Sequence, residues 1–332
     1  MNVFHIKYDE LFSIDNLFLA WSRFRSGKAW KYDIMSFEHH LENNIFALYE
    51  ELHSRTYKHS QYEHFIVFDK KKRDIHKACV KDRLVHQLLY DYLSKIFEPI
   101  FISDSYSSRK NKGSHKAVMA FKYFMKLAGG KGAGCFILKC DIKKYFDSVN
   151  HDILLDIIKK RVCDDEIFGI IKEVTESFVR KTDCGLPLGN ITSQIFANIY
   201  LNELDWFVKR KLRARFYIRY NDDFVIIGAN KKKLLHYLGE IRRFVSERLK
   251  LDAPPEKCEL RKSAWGVDFL GFVVADNFTL LRNTTKKNMA ANIHRNNIAS
   301  YFGLLSHCDS FNLRSKTLAD FYYRQEDVFM LN

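Results

Sequence analysis

An α+β fold is what this 332-residue chain predicts, on three observations. Amphipathic helical stripes fill its first part, a compact apolar run in the middle ends on an acidic residue, and two β-rich runs further on flank a short polar turn. The length is enough for two or three packed units. Only 14 Gly and 4 Pro argue against long disordered linkers or collagen-like repeats. No apolar run reaches membrane-spanning length, and MNVFHIKYDELF lacks a basic stretch followed by an apolar core, so neither a membrane anchor nor a secretory signal is expected. Seven cysteines without close paired spacing point to reduced thiols and a cytoplasmic setting.

The chain up to about Phe68 reads as helical, with Leu41, Ile45, Leu48 and Leu52 forming one apolar stripe. A short strand, HFIVFD, covers His64 to Asp69 and runs into the basic segment Lys70 to Arg83. A second amphipathic helix carries Leu84, Leu88, Tyr92 and Ile96 and ends before Pro99. After the glycine-punctuated Gly130–Gly134 comes CFILKCDI, Cys135 to Ile142. Alternation puts Phe136, Leu138 and Cys140 on one strand face and Asp141 on the other, at the C-terminal end.

A helix with Ile153, Leu154, Ile157 and Ile158 follows, then the turn-rich loop GLPLGN, Gly185 to Asn190. The loop opens a long helix from about Thr192, with Ala197, Leu201, Leu204 and Val208 as its buried stripe and Asn190, Thr192 or Ser193 as its cap. In ARFYIRYNDDFVIIGA the runs Phe216–Arg219 and Phe224–Ile227 make a hairpin. Asn221 tolerates the left-handed backbone that such a turn demands, which leaves Asp222 and Asp223 at or beside the tip. A helix over 231–250 uses Leu234, Leu235, Leu238, Ile241 and Val245 as its apolar face. A β segment, VDFLGFVV, spans Val267 to Val274, and the tail from about Arg282 is polar, basic and helical.

Lys+Arg 54 against Asp+Glu 40 gives a formal charge of +14, which favours polyanions. An aspartate ending one strand and an adjacent pair on a hairpin tip suit two hard cations. Carboxylate oxygens match Mg²⁺, which takes few protein ligands and keeps positions open for phosphate. Two such ions about 4 Å apart serve an in-line displacement at phosphorus. The plain alternative is that Asp222 and Asp223 merely populate a turn.

The neighbouring motifs favour chemistry. LKCDIKKYFDSVNH, GLPLGNITSQIFANIYL, RYNDDFVII and PPEKCELRKSAWGVDFLGF resemble, in order, motifs A, B, C and D/E of reverse transcriptases. KACVKDRLVHQLL and SYSSRKNKGSHKAV resemble the fingers motifs of bacterial, group II intron-like members. The resemblance implies a right-hand polymerase: an N-terminal helical segment and fingers over 1–130, a palm with a small antiparallel sheet over 131–281 with a helical excursion at about 150–184, and a short thumb over 282–332. It implies RNA-directed DNA synthesis with two Mg²⁺ ions, Mn²⁺ substituting, held by Asp141 and Asp222 with Asp223 in support and the Ile142 carbonyl as a further ligand. Phe146 matches the steric gate that selects deoxynucleotides; Lys71 and Arg73 match residues that grip the triphosphate. Leu188, Gly189 and Gln194 lie in the nucleotide-contacting motif B loop. Lys257 matches a lysine that protonates the departing pyrophosphate, and Phe269, Leu270 and Gly271 match the primer grip. Read without the resemblance, Phe146 is a core phenylalanine and the Lys71–Arg73 run a solvated face.

Leu188-Gly189 followed by Ser193-Gln194 resembles the LGxxxSQ pattern of diversity-generating retroelements. Their enzymes misincorporate opposite template adenines and work with a small basic helical accessory protein that is oligomeric. An aliphatic side chain where relatives carry an amide removes a hydrogen-bonding constraint on the nucleotide. The expected partners are thus template RNA, the RNA–DNA hybrid, deoxynucleoside triphosphates and that accessory protein, with no membrane. A defence-associated or retron-type enzyme is the alternative, and a catalytically idle RNA-binding scaffold the alternative of another class. Residues 272–332 give room for a helical thumb and, by expectation, not for maturase and endonuclease regions. His39, His40 and His115 form no evident metal cluster with Cys.

Overall fold

In the computed structural model the first elements are α1 (Tyr8–Leu11), α2 (Ile14–Arg25), α3 (Tyr32–His39) and α4 (Leu41–His53). Ser13 caps α2 by accepting from the Asn16 N–H, and Ile45, Leu48 and Leu52 of α4 are fully buried. Burial of each such side chain contributes about 1.5–3 kcal/mol. Residues 6–69, 71–129, 134–294 and 296–329 are described, without the side chains of 69, 71, 320 and 322–329. Lys70, Arg295 and the segment 130–133 with its predicted glycine punctuation lie outside the described residues, as does the Lys71 side chain.

Along the chain follow β1 (Glu63–Asp69), β2 (Lys71–Lys77), α5 (Val80–Phe97), α6 (Ser114–Gly129), β3 (Phe136–Asp141), α7 (Tyr145–Ser148), α8 (His151–Lys159), α9 (Asp165–Glu176) and α10 (Ile191–Trp206). Then come β4 (Phe216–Tyr220), β5 (Asp223–Gly228), α11 (Lys231–Leu249), β6 (Cys258–Lys262), β7 (Val267–Phe269), β8 (Phe272–Val274), β9 (Thr279–Leu281), α12 (Asn283–Asn292), α13 (Ile298–Leu305) and α14 (Phe311–Phe329). The chain divides into two compact units: residues 1–103, 142–211 and 241–254, and residues 104–141, 212–240 and 255–332.

In the first unit α10 is the central helix, buried on nearly every side, with α5 and α8 packed on it and α2 on α5. The basic segment after His64–Asp69 takes regular structure. Its first part forms β2 and pairs antiparallel with β1 from Glu63↔Lys77 to Asp69↔Lys71. Both strands are exposed or half-buried, so no apolar alternation marks β2 in the sequence. Asn190 occupies the N-cap position of α10 without capping it: its side chain accepts from the Ala78 N–H and donates to the His76 carbonyl. Ser193, another of the three proposed caps, donates instead to the Pro187 carbonyl.

The second unit holds an antiparallel sheet in the order β4-β5-β3-β6 and a three-stranded sheet β7-β8-β9. Ala117, Val118, Phe121 and Met125 of α6 pack on Ile137, Ile218, Val225 and Ile227 of the first sheet and on Phe269 and Phe272 of the second. The predicted single segment Val267–Val274 is a hairpin, with Phe269 opposite Phe272 and Leu270 (φ 51°) and Gly271 (φ 89°) as its two turn residues. Positive φ at both turn positions is the geometry that matches strand twist. Leu234 is buried on α11 as predicted, whereas Leu235 is exposed.

Candidate active site

Three carboxylates predicted from far-apart motifs meet on the second unit. β3 and β5 pair antiparallel, and their register sets Asp141 directly opposite Asp223. β4 and β5 are joined through Asn221 and Asp222, with Tyr220 opposite Asp223; Asn221 has a φ of 53°, so the left-handed turn position is where the sequence puts it. All three aspartates are half-buried. Burial, reinforced by the charges of Asp141 and Asp223, raises the Asp222 carboxyl to about 6. Burial first, then Asp141 and Asp268, raise Asp223 as well, against the lowering effect of Lys139 and Lys257.

Lys257 precedes β6, next in line beyond the Cys140↔Cys258 pair, and its ammonium donates to Asp141 Oδ1. Among the described residues no three His, Cys, Asp or Glu groups close into a ready-made metal cage. The donor set is carboxylates alone, on adjacent strand ends, with mutual repulsion that a divalent cation relieves. Such a set fits Mg²⁺, which fills its remaining positions with water and phosphate oxygens.

Sequence reasoning missed the residues around the carboxylates. Lys139, two positions before Asp141 and on its face of β3, reaches across to β7 and donates to the Asp268 carbonyl at 2.8 Å. Asp268 in turn pairs with Arg282 at 3.0 Å. Alternation along LKCD could have flagged Lys139; nothing local flags Asp268. Arg219, fully buried on β4, donates to the Asn221 carbonyl at 3.2 Å and so braces the tip. Of the three residues likened to a primer grip, Phe269 is wholly buried with its ring 5.1 Å from that of Phe121, which leaves Leu270 and Gly271 at the turn. The Arg282 N–H donates to the Gly271 carbonyl at 3.0 Å.

The first unit carries the other predicted residues. Phe146 is half-buried in α7, its ring 5.5 Å from Tyr145, whose hydroxyl donates to the Ala197 carbonyl. The Phe146 carbonyl accepts from the Leu186 N–H at 2.7 Å, and the Leu188 carbonyl accepts from the His76 N–H at 3.0 Å. The loop Gly185–Asn190 is thus held between α7 and β2. Gly189 has a φ of +110°, and a Cβ there would meet Ile75 Cγ2 at 2.9 Å, so the position requires glycine twice over. Gly189 and Gln194 line a cavity of about 380 Å³ together with Lys28, Lys31, Lys77 and Arg83; among the described residues no acidic one lines it. Arg73 is exposed on β2 opposite Val67, and the Ile142 side chain is buried.

A family model for reverse transcriptase (RNA-dependent DNA polymerase) matches residues 57–274. An uncharacterized 91 kDa protein in the cob intron of Schizosaccharomyces pombe is 30% identical over 173 residues, 50% of this chain and 20% of that protein. The group II intron-encoded protein LtrA of Lactococcus lactis subsp. cremoris is 23% identical over 61% of this chain and 44% of its own length. Among solved structures, apo telomerase from Candida tropicalis truncated from its C-terminal domain superposes with a TM-score of 0.51 at 12% identity, over 73% of this chain and 60% of that one. The likeness shows the fold to be of the right-hand polymerase class. The chain spans less than two thirds of the length of these relatives.

Proposed function

Because this chain belongs to the reverse transcriptase family, we propose that it is an RNA-directed DNA polymerase that extends a primer on an RNA template with deoxynucleotides. The observation that carries the reading is the Asp141–Asp223 register with Asp222 in the adjoining turn. Enzymes of this family work with divalent metal ions. Asp141 and Asp222 would hold two Mg²⁺ ions here, Asp223 beside them and the Ile142 carbonyl as a further ligand. When bound, such ions supply activation of the primer 3′-hydroxyl and neutralisation of the leaving pyrophosphate.

The chain's own groups do the rest. In this reading Lys257, which donates to Asp141, gives a proton to the departing pyrophosphate. Phe146 excludes a ribose 2′-hydroxyl, Lys71 and Arg73 grip the triphosphate, and Leu188, Gly189 and Gln194 border the nucleotide. The Leu270–Gly271 turn faces the primer. In this reading residues 1–130 serve as N-terminal segment and fingers, 131–281 as palm and 282–332 as thumb.

We further infer the retroelement subtype, with copying errors at template adenines and a small basic helical accessory protein. Leu188 and the Gly189…Ser193-Gln194 spacing support it, since an aliphatic side chain leaves the nucleotide without an amide partner. Primer extension on an RNA template with Mg²⁺ tests both levels. Wild type should extend with deoxynucleotides, and Asp222→Asn should lose roughly a hundred- to a thousandfold of the rate, as removal of a charge-stabilising group does. Products should carry errors chiefly opposite adenine. An Asp222→Asn protein as active as wild type ends the catalytic assignment; faithful copying of adenines ends only the subtype.

A further inference from the structure

The two sheets of the second unit are tied to each other at both ends of β3. At its start the tie is Ser263, whose hydroxyl accepts from the Cys135 N–H at 3.0 Å and donates to Asp276 Oδ2 at 2.9 Å. At the carboxylate end the tie is Lys139. It stands opposite Val225 on β5 and Glu259 on β6, with Asp141 two positions along the same face of β3. Its ammonium donates at 2.8 Å to the Asp268 carbonyl of β7. The acceptor is a neutral carbonyl and not a carboxylate, so the bond fixes backbone position more than it neutralises charge.

Asp268 passes the tie on. Its carboxylate pairs with the Arg282 guanidinium at 3.0 Å, and both residues are half-buried. The Arg282 N–H then donates to the Gly271 carbonyl at 3.0 Å, and Thr285 Oγ1 lies 3.5 Å from that same carbonyl. A continuous hydrogen-bonded path therefore runs from β3 through Asp268 and Arg282 to the Leu270–Gly271 turn. Its arms are short. Lys139 is two residues from Asp141 and Asp268 two from Leu270, about 7 Å of strand in each case. A shift at the Lys139 bond is thus passed to the turn almost undiminished.

Primer extension is sensitive to such a shift. The attacking hydroxyl must lie about 3–3.5 Å from the phosphorus, and a misplacement of about 1 Å costs on the order of a hundredfold in rate. We propose that Lys139 is a positioning residue: through Asp268 and Arg282 it sets the Leu270–Gly271 turn, and the primer end lying on it, at a fixed distance from the Asp141 carboxylate. The proposal rests on the polymerase reading and on that turn facing the primer.

The test is extension of a labelled DNA primer on an RNA template with Mg²⁺ by the full chain. Lys139→Met keeps the aliphatic stem and loses the donors. It should lower kcat by about tenfold to a hundredfold, while the deoxynucleotide KM moves less than about threefold because the nucleotide's own contacts remain. Lys139→Arg, which keeps a cationic donor, should recover most of the loss. Arg282→Gln breaks the path from its far end and should lower kcat in the same way, so the proposal is still read if Lys139→Met does not fold. Two members of one path are not additive, so the double variant should be within about twofold of the slower single variant. An unchanged kcat in Lys139→Met, or in Arg282→Gln where the first does not fold, overturns the proposal. So does a loss that Lys139→Arg leaves in place, or losses that multiply in the double variant. A wild-type chain that extends no primer brings down the polymerase reading itself, whatever the variants do.

Discussion

Phe146 shows what a single side chain contributes here. Its carbonyl is fixed by the Leu186 N–H and its ring leans on Tyr145, which is itself anchored on Ala197, so the ring cannot swing aside at low cost. Replacing it by Val should therefore admit ribonucleotides, lowering discrimination by about a hundredfold at most, with little change in deoxynucleotide use. Competition between the two nucleotide types in single-turnover extension measures this; an unchanged ratio would return Phe146 to a packing role. Lys139, inside the segment likened to motif A, is the residue-scale finding to which the sequence assigned no role. Its ammonium joins the carboxylate-bearing β3 to β7 and at the same time opposes the protonation of Asp223.

At the scale of elements, the loop before α10 is held from outside rather than by its helix. Asn190 bonds both Ala78 and His76, Ser193 bonds Pro187, and His151 Nε2 lies 2.7 Å from the Gly185 carbonyl. Asn190 is buried, so its loss leaves buried backbone groups without partners. Asn190→Ala should cost about 1–3 kcal/mol of stability, visible as a lower urea midpoint, and should cost more than Asn190→Asp, which keeps the acceptor to Ala78. Equal midpoints for Asn190→Ala and wild type would show that this cross-link carries no stability. The predicted capping role failed here because a cap is inferred from position alone, while the partner lies more than a hundred residues away.

For the whole molecule, acid is the expected weakness. His86 on α5 is fully buried; burial first, then the neighbouring His59 charge, lowers its pKa to about 3. His59 Nε2 lies 3.1 Å from His86 Nε2, and Asp82 and Arg83 complete the charged surroundings. An unfolded histidine titrates near pH 6.5. Between about pH 6.5 and 3 the unfolded chain therefore binds a proton that the folded chain refuses, and stability falls as pH falls through that window, by at most about 1.4 kcal/mol per pH unit from this group. Asp82, held below the usual carboxylate range by His59 despite its burial, begins to lose its contribution as pH falls below about 4. Denaturation midpoints at pH 7.5 and 5.5 should differ more for wild type than for His86→Gln; an identical pH dependence in both would remove His86 from this account.

The sequence alone determined the helices α4, α5, α8, α10 and α11, the strands β3, β4 and β5, the turn at Asn221, and the order of the motifs carrying Asp141, Asp222 and Asp223. Those features depend on neighbours two to four positions apart, where strand alternation and helical periodicity leave a visible trace. Only the tertiary structure decided that Asp141 faces Asp223, that Lys139, Lys257 and Asp268 set the charge around them, and that Phe269 is core. Contacts between residues tens to hundreds of positions apart follow from packing and strand register, which leave no periodic signal in the chain.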